Sequence, residues 1–209
     1  EVIKELLEER LYNFNYDEFN KKIQEEYKKH QEVSRAGAEK KFGGHGMKLQ
    51  TGELKAADDT ELARVTRLHT ATHLLQSALR EVLGDHVRQR GSDISAERLR
   101  FDFIHTQKMT DEEKTRVENI VNAHITEALP VKHEEMVIDD AEKIGALMFQ
   151  REKYGNMVSV YTIGNKEKTV SRELCGGPHV QNTKEIGMFK IIKEEASSAG
   201  IRRIRATVA

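Results

Sequence analysis

This 209-residue sequence predicts an α+β fold, an antiparallel sheet with helices packed on one face, preceded by an N-terminal helical segment. Three observations predict it. Apolar residues recur at helical spacing through much of the first two thirds. The last third is broken into short β-branched or alternating stretches. Strands and helices mix without the strict βαβ alternation of a parallel sheet.

Residues 1–44 read as helices. Val2, Ile3, Leu6, Leu7 and Leu11 mark one apolar face, and Tyr12–Tyr16 marks a break. Phe19, Ile23, Tyr27 and His30 continue the spacing through Asp17–Gln31, with Asp17 as the cap. Residues 45–58, after Phe42-Gly43-Gly44, form a linker with room for a short strand. Residues 59–209 form the main domain. Leu62, Val65, Leu68, His69, Thr72, Leu75, Leu79 and Leu83 follow the 3.6-residue period, with Asp59 or Thr60 as cap and Gly84 as stop.

Leu99–His105 alternates as a strand should. Thr110 with Glu113 forms a capping box for a helix running to about Leu129, and Pro130 ends it. Val131–Ile138 is a strand and Asp139–Leu147 a short helix. Strands follow at Val158–Ile163, Lys168–Leu174, Ile186–Glu195 and Ile201–Val208.

The charge is balanced, with 34 Lys+Arg against 35 Asp+Glu. That excludes a globally basic nucleic-acid coat but leaves local basic patches open. No apolar run approaches the ~20 residues of a membrane span. The single cysteine excludes an internal disulfide and fits a reducing, cytoplasmic compartment. The chain begins Glu-Val-Ile-Lys without Met and reads as a piece of a longer one.

His69 and His73 sit four residues apart on one helix, so both imidazoles project from one face and can reach one ion. Alone, the pair also fits ordinary capping or core histidines. Cys175-Gly-Gly-Pro-His179 supplies a second pair, in a segment whose glycines and proline call for an irregular turn. Three imidazoles and a thiolate make a tetrahedral zinc set, so zinc is the expected cofactor. Thr70 stands where a zinc protease carries its glutamate base, which argues against that chemistry.

Six motifs then occur in order: His69-Thr-Ala-Thr-His73-Leu-Leu, Val87-Arg-Gln-Arg-Gly-Ser92, Leu99-Arg-Phe-Asp-Phe103, Glu173-Leu-Cys-Gly-Gly-Pro-His179, Glu185-Ile-Gly-Met-Phe-Lys-Ile-Ile192 and Ala199-Gly-Ile-Arg-Arg-Ile204. Together they resemble the editing domain of alanyl-tRNA synthetases and the free-standing editing proteins related to it. His30-Gln-Glu-Val-Ser-Arg35 resembles the tRNA-recognition piece that precedes editing in the synthetases.

The resemblance implies hydrolysis of the ester joining serine or glycine to the 3′ end of alanine tRNA. It implies zinc on His69, His73, Cys175 and His179, and an amino-acid pocket lined by Thr72, Gln89 and Ser92. A site that hydrogen-bonds a hydroxyl separates serine from alanine far better than an apolar pocket does. The tRNA backbone would meet Arg88, Arg90, Arg202, Arg203 and Arg205, with Lys184 and Lys190 as weaker candidates. Other domains of the same synthetase would be further partners.

Two departures stand out. Residues 45–58 are too few for the β-barrel of larger synthetases, leaving a linker or a barrel remnant. Pro178 stands where alanyl-type sequences carry Thr, which is closer to the threonyl-type editing domain that removes serine from threonine tRNA. A non-catalytic, zinc-stabilised tRNA-binding module is the remaining alternative.

Overall fold

The computed structural model describes residues 15, 17–26, 29, 54–148, 151 and 154–209. The chain divides into two units, Glu1–Gly46 and Met47–Ala209. In the first, residues 17–26 are helical (α1). Asn15, not Asp17, caps them, its side chain accepting from the Glu18 amide at 3.1 Å. The expected helix over Val2–Leu11 and the His30–Arg35 stretch lie outside the described residues.

In the second unit the elements run β1 (Leu54–Lys55), α2 (Asp59–Leu83), β2 (Gln89–Ser95), β3 (Leu99–Ile104), α3 (Asp111–Thr126), β4 (Val131–Val137), α4 (Ile138–Lys143), β5 (Met157–Gly164), β6 (Thr169–Leu174), a 3-10 turn (Thr183–Ile186), β7 (Phe189–Ser198) and β8 (Ile201–Val208). The α+β class holds, with the strands divided between two sheets. One is five-stranded in the order β1-β2-β3-β8-β7, and the other is three-stranded in the order β4-β5-β6. Only β1 and β2 pair in parallel among the described strands.

Helix α2 is the axis of the unit. Asp58 caps it, accepting from the Glu61 amide at 2.9 Å, one residue before the expected cap. Gly84 ends it at φ 112°, a conformation that favours glycine. Its leucines face the inner side of the five-stranded sheet, where Leu99, Phe101 and Phe103 of β3 meet Ile204 and Ala206 of β8. These side chains are fully buried and alternate with polar residues, as period 2 requires.

The Thr110–Glu113 capping box forms as the sequence predicts. The helix it starts, α3, stops at Thr126, three residues early, and Ala128 turns the chain at φ 53°. Asn122 of α3 clasps Phe189 of β7, donating to its carbonyl and accepting from its amide, both at 2.9 Å. The short helix α4 starts at Ile138 and ends at Lys143, before the expected Leu147. Ile186 belongs to the 3-10 turn, so β7 begins at Phe189.

The three-stranded sheet packs one face on α4. Val158, Val160 and Leu174 bury there with Ile138 and Ala141. Its other face carries Ser171 and Glu173 and leads to Cys175. Ser77 of α2 donates to the Val170 carbonyl at 2.7 Å and ties that face to the helix.

Candidate metal centre

Two elements meet at the site. Helix α2 brings His69 and His73 from consecutive turns of one face. Strand β6 runs out at Leu174, and the Cys175 amide donates to the Ser159 carbonyl at 3.0 Å, extending the ladder by one residue. The chain from Gly176 to Val180 then takes no regular structure and swings His179 back beside Cys175. The turn is irregular as expected, although neither Gly176 nor Gly177 adopts a left-handed backbone.

One ligand atom from each of His69, His73, Cys175 and His179 lies within 4.8 Å of the others, so these residues could hold a metal ion. The Cys175 Sγ is 3.3 Å from His69 Nε2 and 3.4 Å from His179 Nε2. The imidazoles crowd together, with His69 and His179 stacked at 4.2 Å between centroids and His73 edge-on to His179 at 4.7 Å.

The outer nitrogen of every ring is held. His69 Nδ1 lies 3.0 Å from the Pro178 carbonyl, which can only accept. His73 Nδ1 lies 2.8 Å from the buried Glu173 carboxylate. His179 Nδ1 lies 3.1 Å from Thr70 Oγ1, whose own proton goes to the Thr66 carbonyl. Each partner therefore accepts, each Nδ1 carries a proton, and each Nε2 faces the cluster, where it either donates to the Cys175 sulfur or, once its proton has left, binds an ion.

Thr70 also accepts from the Val180 amide at 3.2 Å, so one hydroxyl pins both the ring and the backbone of the returning segment. Replacing Thr70 by Val should leave His179 Nδ1 and the Val180 amide without an acceptor. Metal affinity should fall about 10-fold or more, read by competition with a chromophoric chelator.

The charges fit a cation. Burial disfavours the Cys175 thiolate, but hydrogen bonds from His179, His69 and His73 outweigh it and bring the thiol down to about 2. Burial carries His179 down to about 3. Burial opposes charge on His73 as well, yet the Glu173 carboxylate and Cys175 hold it well above its ordinary range. A cation entering here displaces the His73 proton.

The sequence reading left Glu173, Ser171 and Thr70 without a supporting role. Glu173 uses both oxygens, one on His73 and the other accepting from Ser171 Oγ at 2.7 Å. The signal was the period-2 run Ser171, Glu173, Cys175, which places all three on one face of a strand.

Thr72 is buried one position before His73, and its hydroxyl donates to the Leu68 carbonyl at 2.9 Å, leaving lone pairs free to accept. Gln89 and Ser92, expected in the amino-acid pocket, stand on β2 opposite Phe103 and Phe101, on the sheet face that α2 covers. The Ser92 Oγ is buried without a partner among the described residues.

The arginines divide. Arg203 makes a bidentate pair with Asp102 at 2.7 and 2.8 Å. Arg202 pairs with Glu194 at 2.5 Å and Arg205 with Glu195 at 3.0 Å. Arg88 is exposed and donates to the Asp85 and Val87 carbonyls. Arg90 is exposed with no ion-pair partner among the described residues.

Residues 158–205 match the family model described as the threonyl and alanyl tRNA synthetase second additional domain. The chain is 52% identical over 206 residues to the alanine–tRNA ligase of Borrelia garinii subsp. bavariensis, covering 99% of this chain and 31% of that protein. It is 50% identical over 208 residues to that of Treponema denticola, covering 100% and 31%. With the enzyme of Dechloromonas aromatica it shares 48% over 172 residues, covering 79% and 19%. The chain thus spans under a third of the relatives it matches. With about half its residues shared along nearly its whole length, it belongs to the alanyl-tRNA synthetase family, as the counterpart of one region of those enzymes.

Proposed function

We propose that this chain is an editing hydrolase: it binds zinc and cleaves the ester of serine, or glycine, wrongly attached to alanine tRNA. The observation that carries the reading is the ligand cluster with all three outer nitrogens held, in a chain half-identical to alanine–tRNA ligases. A tetrahedral zinc with bonds of about 2.0–2.1 Å to nitrogen and 2.3 Å to sulfur has N···S edges of about 3.5 Å. The Cys175–His69 and Cys175–His179 distances of 3.3 and 3.4 Å support zinc in that place.

Zinc bound there supplies positive charge for the ester carbonyl, or for a water, at neutral pH. The protein's own groups do the rest. Thr72, Gln89 and Ser92 surround the aminoacyl group, with the Thr72 hydroxyl beside the serine side chain. Glu173 and Thr70 keep His73 and His179 aimed inward. Arg90, exposed and without an ion-pair partner among the described residues, and the exposed Arg88 are the best placed of the five arginines for tRNA phosphates. Arg202, Arg203 and Arg205 would have to exchange carboxylate partners for phosphates to join them. Residues 1–44 serve as the tRNA-recognition segment, 45–58 as a linker, and 59–209 as the editing domain.

Pro178 favours a second reading, threonyl-type editing, and one experiment separates the two. The zinc-loaded protein is incubated with serine-charged alanine tRNA and with serine-charged threonine tRNA, and release of serine is followed. Faster loss from the alanine tRNA is expected. Loss only from the threonine tRNA would move the chain to the sister activity. Loss from neither, with tRNA bound, would make it a binding module.

A further inference from the structure

Buried polar atoms almost always find partners, so an unpaired one needs a reason. Among the described residues, five buried side-chain atoms lack one: Gln76 Oε1, Ser92 Oγ, Arg100 Nε, Glu194 Oε2 and Arg205 Nε. The last three belong to side chains held in ion pairs. Gln76 and Ser92 make no side-chain hydrogen bond at all among those residues.

Gln76 is 7% exposed. It lies seven residues beyond His69 and three beyond His73, so at 100° per residue it stands on the ligand-bearing face of α2. It is also four residues beyond Thr72, one turn along the same side. The five-stranded sheet takes the leucine side of the helix and the three-stranded sheet takes the Ser77 side. The face of His69, Thr72, His73 and Gln76 lies between these two sides, and β2 presents Ser92 on the sheet face that packs against the same helix.

Resting on the editing reading, we infer that Gln76 is a specificity-determining residue whose amide oxygen accepts a hydrogen bond from the side-chain hydroxyl of the bound aminoacyl group. The chemistry selects the ligand. A buried acceptor beside a cation site needs a neutral donor, and serine brings a hydroxyl that alanine and glycine lack. Left unpaired, the oxygen is a desolvation penalty that a serine side chain can relieve and a glycine or alanine side chain cannot. Thr72 and Ser92 frame the same group, while Gln76 makes no hydrogen bond to a metal ligand among the described residues, so its substitution should spare the metal site.

The test uses two non-hydrolysable probes, the serylamide and glycylamide of 3′-amino-3′-deoxyadenosine, titrated into the zinc-loaded chain by calorimetry. The wild-type protein should bind the serylamide about tenfold more tightly. Gln76→Leu should bring the ratio near one with zinc content unchanged, and its melting temperature should hold or rise because a buried unpaired atom is gone. Gln76→Met, closer in shape, decides the matter if the Leu variant folds poorly. A ratio that survives both substitutions, or an equal loss for both amides, overturns the inference. Equal wild-type affinities overturn it while sparing the editing reading. If the wild-type protein binds neither amide, the editing reading fails and this inference falls with it.

Discussion

Replacing Cys175 by Ala is expected to strip zinc from the purified protein and abolish deacylation of serine-charged alanine tRNA, with the fold largely kept. Loss of a supporting partner outside a metal costs about 10- to 100-fold in affinity, and loss of the only anionic ligand should cost more. The thiolate is where the charges of the site converge, since His69, His73 and His179 all hydrogen-bond to it. Without it, three imidazoles surround an ion with no anionic ligand bonded to it, and the remaining carboxylate, Glu173, lies behind His73 rather than on the ion.

The fold should survive because its core lies elsewhere. Phe101, Phe103, Phe189 and Leu68, Leu74, Leu75 and Leu79 of α2 are fully buried, and Cys175 is not among the core residues. A small domain that needs its zinc to fold behaves in the opposite way, since metal binding and folding are then one event. Metal analysis, circular dichroism and serine release on the same sample separate the outcomes. Collapse of the circular dichroism signal in step with zinc loss would show a structural ion and favour the binding-module reading.

How much of this was legible beforehand follows from which signals are local. Helix α2 falls over Asp59–Leu83 as read, because its period and its glycine stop are written in consecutive residues. The Thr110–Glu113 box is equally local, two side chains three residues apart. The four metal-ligand candidates came from spacing plus the scarcity of cysteine, and the structure brings the two pairs together.

Strand β2 was missed because Gln89-Arg-Gly-Ser-Asp has no β-branched residue and includes a glycine. It is a strand through its pairing with β3, a non-local cause. The division into two sheets was hidden for the same reason, because strand pattern does not name a strand's neighbour. The support of the metal site needed three dimensions too. Thr70 reads as an ordinary helix residue until His179 arrives from 109 positions away. The ion pairs of Arg202, Arg203 and Arg205 likewise depend on strand register that no motif records.

Glu173 offers the second large effect, and two substitutions there should differ in an informative order. Glu173→Ala leaves both the His73 Nδ1 proton and the Ser171 hydroxyl without an acceptor in a buried place. The ring loses its aim, and zinc affinity should fall about 10- to 100-fold. Glu173→Gln keeps an amide oxygen that can accept from Nδ1, and the Ser171 hydroxyl can turn to accept from the new NH₂. Geometry is retained and only the charge is lost, so affinity should fall less than for Ala.

Acidity provides an independent readout. The Glu173 charge helps hold His73 well above its ordinary range, so in the wild-type protein zinc must displace a tightly held proton. Apparent affinity therefore weakens as pH falls through the His73 titration. Removing the charge in Glu173→Gln lowers that pKa and moves the weakening to lower pH. Chelator competition across a pH series measures both the size of the loss and its midpoint. Equal losses for Gln and Ala with an unmoved midpoint would mean that Glu173 neither aims nor charges His73, and that the 2.8 Å contact is incidental to metal binding.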